Sequence, residues 1–106
     1  MKHETQWTPG PWSVGRTISR ERGAYLETPV HVGERGNRGN CIALVYLGGP
    51  GAIHRDAASL EANAHLIAAT PDLYEALENI ENDDGRIPAE IWNMRNLALA
   101  KARGEA

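Results

Sequence analysis

The sequence predicts an α+β fold: a three-stranded antiparallel β-meander (about 12–19, 25–32 and 41–47) followed by three helices (about 56–69, 71–82 and 88–103) packed on one sheet face. Three observations carry that expectation. Apolar residues in the first half fall in short runs punctuated by glycine, proline and charge, as strands and turns require. In the second half they recur at intervals of three and four, as on a helix face. Gly48-Gly-Pro-Gly51 divides the two regimes.

The elements follow in order. Residues 1–11 lead through Trp7-Thr-Pro-Gly-Pro11 to Trp12, a proline-rich strap expected to lay Trp7 or Trp12 over one end of the core. Trp12, Val14, Arg16 and Ile18 then alternate with Ser13, Gly15 and Thr17, the pattern of a half-buried strand. Arg20-Glu-Arg-Gly23 supplies a turn, and Tyr25 to Val32 reads as a second strand that Pro29 interrupts or confines to an edge. The polar loop Gly33 to Asn40 leads into Cys41-Ile-Ala-Leu-Val-Tyr-Leu47, whose apolar run predicts a central strand covered on both faces, or covered on one and packed at an interface on the other.

In the helical half, Asp56 is placed to cap a helix whose Leu60, Ala64, Ile67 and Ala68 share a face. Thr70-Pro71 reads as its end and as the start of the next, with threonine suited to the N-cap and proline to the first helical position. Leu73, Leu77 and Ile80, with Tyr74 beside them, form the expected stripe of that second helix. Asn82-Asp-Asp-Gly85 stops it. Pro88 opens a third helix with Ile91, Met94, Leu97 or Ala98, and Lys101 at helical spacing, ending at Gly104.

At 106 residues the chain is expected to form a single domain, 1–106. Its 42% apolar content comes largely from alanine, with no phenylalanine, so the core should be thin and a homo-oligomer is expected to extend it. The charge is uneven: residues 1–55 carry seven Lys and Arg against four Glu, whereas residues 56–106 carry four against ten acidic residues. No run approaches the length of a membrane span and Met1 to Gln6 lacks a signal-peptide pattern, which predicts a soluble, intracellular protein. The acidic balance argues against a duplex nucleic-acid partner.

Catalytic signatures are missing. His3, His31, His54 and His65 show no metal-ligand spacing, so no metal and no cofactor is expected. There is no nucleophile elbow, Cys41 reads as a buried inert thiol, and Glu75, Glu78 and Glu81 read as a solvated face. A non-enzymatic protein is the expectation. For ligand binding, the Gly33–Asn40 segment pairs glycines, whose backbone N–H groups can converge on an anion, with Arg35 and Arg38; its bland alternative is a hairpin turn. Arg16, Arg20 and Arg22 would join that pair, and Trp12 and Tyr25 offer stacking surfaces unless they serve the core. Asn63 is a poor helix former, so its amide, with His65, either satisfies a backbone group or meets a ligand.

Three segments carry a family resemblance: Thr8-Pro-Gly-Pro-Trp12, the stretch Glu61-Ala-Asn-Ala-His-Leu-Ile-Ala-Ala-Thr-Pro-Asp-Leu-Tyr-Glu-Ala-Leu77, and the tail Leu97-Ala-Leu-Ala-Lys-Ala-Arg-Gly-Glu105. In these the chain resembles a widespread group of small bacteriophage and prophage proteins. The resemblance implies an accessory phage protein working in the cytoplasm of the infected bacterial host and directed at antiviral defence. Two mechanisms fit it. In the first, which is the expectation adopted with the other as its alternative, the protein sequesters a small cyclic or ADP-ribose-like nucleotide signal in a pocket between subunits. In the second, it inhibits a host defence protein, as an anti-CRISPR does, through the acidic helical face.

Overall fold

Eight residues from Tyr25 to Val32 form the strand on which the rest of the sheet is built. The computed structural model describes residues 6–20, 25–33, 40–48 and 57–105. The chain divides into two compact units, one from Pro9 to Pro71 and one that takes Asp72–Ala106 together with the segment ending at Thr8. The described elements are β1 (Trp12–Val14), β2 (Ile18–Arg20), β3 (Tyr25–Val32), β4 (Cys41–Gly48), α1 (Ala57–Glu78) and α2 (Ala89–Ala102). The architecture is α+β with an antiparallel sheet, but with four strands and two helices in place of three and three.

The extra strand arises because the expected strand 12–19 is broken. β1 pairs with one end of β3 (Val14 opposite Val30) and β2 with the other (Ile18 opposite Glu27), so Gly15, Arg16 and Thr17 span the stretch where β3 offers only Thr28 and Pro29. This is the extra residue of a bulge, and it reverses the alternation beyond it. Trp12 and Val14 therefore face the core, while Ile18 is carried to the opposite face, contrary to the sequence expectation. Pro29 explains the position of the break. Its carbonyl accepts from the Gly15 N–H at 2.8 Å, so its missing N–H points toward the same edge, where the ladder is interrupted. Gly15 is needed there, because a Cβ would lie 2.8 Å from both the Pro29 ring and His31 Nε2.

Pro29 thus neither interrupts β3 nor places it at an edge. β3 is central, with β1 and β2 on one side and β4 on the other. β4, expected to be central, pairs with β3 alone among the described strands, and it alternates: Ala43 and Val45 pack on the core, whereas Leu44 and Tyr46 are exposed. A bulge at the Val30/His31 step leaves Cys41 at the strand's start, exposed rather than buried, with its thiol donating to the Ala43 carbonyl at 3.3 Å.

The core of this unit is small. Val30, Ala64 and Ala68 form its centre, with Trp12, Val14, Ala43, Val45 and Ile67 packed around them, and Leu60 is fully covered. Ala64 and Ala68 are buried with Val30 and Ile67 packs beside them, so the anticipated face of Leu60, Ala64, Ile67 and Ala68 is the one that is covered. Thr28, also fully buried, shares a 2.7 Å hydroxyl hydrogen bond with Thr17.

The expected helix break at Thr70-Pro71 does not occur. α1 runs through Pro71, which removes the N–H that would have bonded to the Ile67 carbonyl. Thr70 Oγ1 donates to that same carbonyl at 2.7 Å, replacing the missing donor. Gly10 lies against the proline ring, where a Cβ would stand 3.1 Å from Pro71 Cβ. Since the helix does not restart, the stripe keeps the phase of Leu60, Ala64 and Ile67 and reaches Tyr74, which is buried. Leu73 and Ile80, the expected stripe of a separate helix, are exposed instead.

Candidate protein-binding surface

The unit from Asp72 onward is assembled by arginines. α1 stops at Glu78, four residues before the expected stop, and its last carbonyls are met from beyond the helix, that of Leu77 by the Ile80 N–H at 3.3 Å. Arg95 of α2 adds two donors: Nε donates to the Leu77 carbonyl at 2.9 Å and Nη2 to that of Glu78 at 3.0 Å, placing a cation at the negative end of the helix dipole. The guanidinium is held flat by Trp92, 4.4 Å from the ring centroid, and by Asn96 Oδ1 at 2.8 Å.

One end of the connection is fixed by Asn82. Its Oδ1 accepts from the Ile87 N–H at 2.9 Å and its Nδ2 donates to the Ile87 carbonyl at 3.3 Å, closing the turn that Gly85 allows with its φ of +70°. At the far end of α2, Glu105 N–H bonds to the Ala100 carbonyl and Gly104 N–H to that of Lys101, with Gly104 at φ +77°, so the anticipated glycine stop is a Schellman cap.

Arg103 makes the second cross-link, its Nη1 donating to the Tyr74 hydroxyl at 2.9 Å while its Nε meets Glu105. The Tyr74 hydroxyl, and then the Glu105 carboxylate, hold the Arg103 pKa above its ordinary value against the opposing effect of burial. Trp7 completes the cover, meeting the Tyr74 ring edge-to-face at 4.7 Å.

The covered stripe of α2 and its cap is therefore Trp92, Arg95, Leu99 and Arg103, of which Leu99 is buried and the others half-buried. The expected stripe of Ile91, Met94 and Leu97 faces solvent, at 53%, 66% and 64% exposure. Arginine was the residue missed by sequence reasoning. The spacing 92, 95, 99, 103 is helical, and a long side chain covers apolar surface with its stem as it carries its charge to a carbonyl.

The helical unit leaves a groove of about 700 Å³ lined by Glu78, Ile80, Glu81, Asp83, Trp92 and Arg95 among others. Between residues 72 and 106 stand eight carboxylates (Asp72, Glu75, Glu78, Glu81, Asp83, Asp84, Glu90 and Glu105) against Arg86, Arg95, Lys101 and Arg103. Two of those cations serve the internal contacts above, and Arg86 pairs with Asp84 at 2.9 Å. Leu73, Ile80, Ile91, Met94 and Leu97 are exposed in this same unit of net negative charge.

The ligand residues expected from the sequence are placed as follows. Trp12 packs on the core, Arg16 is exposed beside the sheet bulge, and Asn63 and His65 are exposed on α1, away from the covered stripe. Arg22, Arg35 and Arg38 lie outside the described residues, as do the side chains of Arg20 and Tyr25. Among the described residues, no three His, Cys, Asp or Glu are grouped to hold a metal ion, and no helix is long and apolar enough to cross a membrane.

No curated protein and no solved structure matches the chain. Over its full length, residues 1–106, it matches the family described as Salmonella phage P22 protein Y8K6, and it belongs to that phage protein family.

Proposed function

We propose that this phage-encoded protein is non-enzymatic and counters a bacterial antiviral defence by binding a host protein through the acidic helical unit. The carrying observation is the exposure of Ile91, Met94 and Leu97 on α2 while its arginines do the internal packing. Large apolar side chains left outside in this way, within a unit of net negative charge, form a recognition surface: the apolar groups supply affinity and the carboxylates select a basic partner. The protein acts in the cytoplasm of the infected host, where such effectors work.

The test combines phage plating with pull-down. Expression of the wild-type chain in hosts carrying defined defence systems should restore plating of a sensitive phage and retain a defence component on the tagged protein. The triple variant Ile91→Ser/Met94→Ser/Leu97→Ser should lose both while keeping its circular dichroism. Equal plating with the two proteins would refute this reading.

A second reading is favoured by the basic surplus of residues 1–55: Arg16, Arg20, Arg22, Arg35 and Arg38 bind a cyclic or ADP-ribose-like nucleotide and sequester it. Incubation with such nucleotides, followed by heat denaturation, separates the mechanisms. Intact ligand released only on heating supports sequestration, altered ligand indicates an enzyme, and ligand that stays free throughout removes this reading.

A further inference from the structure

The free side of β4 is built to receive a strand. Pro29 directs its carbonyl to the Gly15 side, so its neighbours Thr28 and Val30 direct theirs to β4, where their partners are Val45 and Ala43. Leu44 and Tyr46, between and beyond those partners, consequently turn their N–H and C=O groups away from β3. Among the described residues these outward groups have no strand beside them. Their side chains are also exposed, at 45% and 59%, on the face opposite Ala43 and Val45. Soluble proteins guard such edges with lysine, proline or other charge, yet from Cys41 to Gly48 there is no charged residue and no proline.

We propose that β4 pairs antiparallel with β4 of a second copy, joining two sheets into one across a two-fold axis at Val45. This register sets Leu44 opposite Tyr46 of the second copy and the reverse, two aliphatic–aromatic cross-strand pairs on the exposed face. It also leaves the bulged Ile42 outside the central pairing. A second copy fits better than a charged partner, because an uncharged strand meets its own image without repulsion. The acidic helical unit, by contrast, would set like charge against like. The inference is independent of the protein-binding reading.

Sedimentation of the full chain should give twice the chain mass, and Leu44→Lys/Tyr46→Lys should halve it with unchanged circular dichroism. The Ile91→Ser/Met94→Ser/Leu97→Ser variant should remain dimeric. In a Cys41→Ser background, differently tagged Leu44→Cys and Tyr46→Cys chains should cross-link on mild oxidation, because directly opposed hydrogen-bonded residues lie about 5.5 Å apart, within disulfide reach. A wild-type monomer at high concentration, a dimer that survives the two lysines, or a dimer lost only in the helical variant would overturn the proposal. If the lysine variant fails to fold, the absence of the mixed cross-link overturns it alone.

Discussion

In the unit from Pro9 to Pro71, Val30, Leu60 and Ala64 are fully covered, whereas in the helical unit Ile91, Met94 and Leu97 are more than half exposed and α2 packs through Trp92, Arg95 and Leu99. The difference follows from the surfaces available. A sheet presents a broad flat face on which a helix with small residues can bury a full stripe. A pair of helices presents only narrow stripes, and here the gap is filled by guanidinium groups that also terminate α1. Stability in the first unit comes from burial, while in the second it leans on charge-assisted hydrogen bonds, which leaves the aliphatic residues Ile91, Met94 and Leu97 outside.

The contrast can be broken at its strongest point first. Leu60→Ala removes a fully covered side chain and should destabilise the protein by about 2–5 kcal/mol, read as a large fall in the urea midpoint. Arg95→Lys keeps the charge but loses the fork that spans two carbonyls, and a loss of about 1–3 kcal/mol is expected. A neutral result would show that the helical unit does not depend on its arginine. Thr70→Val keeps the side-chain shape but withdraws the hydroxyl from the Ile67 carbonyl at an exposed site. The expected loss is smaller, about 0.5–1 kcal/mol, with Thr70→Ser restoring it. Smallest of all, Met94→Ser should change stability by no more than about 0.5 kcal/mol, and a large loss there would mean the stripe is structural.

Arg103 adds a pH statement to the same contrast. Its folded-state pKa is raised, so whatever stability its contacts contribute is fully present below the pKa of an unfolded arginine and is lost only as pH rises through the higher folded value. A titration from neutral to moderately alkaline pH should therefore leave the Arg103 contribution unchanged, and denaturation midpoints of wild type and Arg103→Met should stay parallel across it.

Much of this was legible because local chemistry and tertiary demand agreed. Leu60, Ala64, Ile67 and Ala68 announce a face that a sheet then covers, and Gly104 ends α2 because its φ of +77° suits glycine. Elsewhere one local signal had two tertiary outcomes. Thr70-Pro71 is equally good as an N-cap with its first helical residue and as a proline whose freed carbonyl is met by the preceding hydroxyl. The error then propagated, since a restarted helix would bury Leu73 and Ile80, whereas a continuous one buries Tyr74. The covered face of α2 differs from the expected one for a related reason: Ile91, Met94 and Leu97 look like core to any rule that counts apolar spacing and treats arginine as surface.

By itself the sequence determined the α+β class, the polarity of the two halves, the covered face of the first part of α1 and the glycine stop of α2, because each depends on composition or on residues within a turn or two. Only the tertiary structure decided that β3 is central despite Pro29, that α1 continues through Pro71, and that α2 turns its arginines inward. Each of those outcomes rests on where a missing or unpaired backbone group finds its partner. For Pro29 the missing donor faces a break in the edge strand. For α1 the Ile67 carbonyl receives the Thr70 hydroxyl, and those of Leu77 and Glu78 receive an arginine 18 and 17 residues away in the chain.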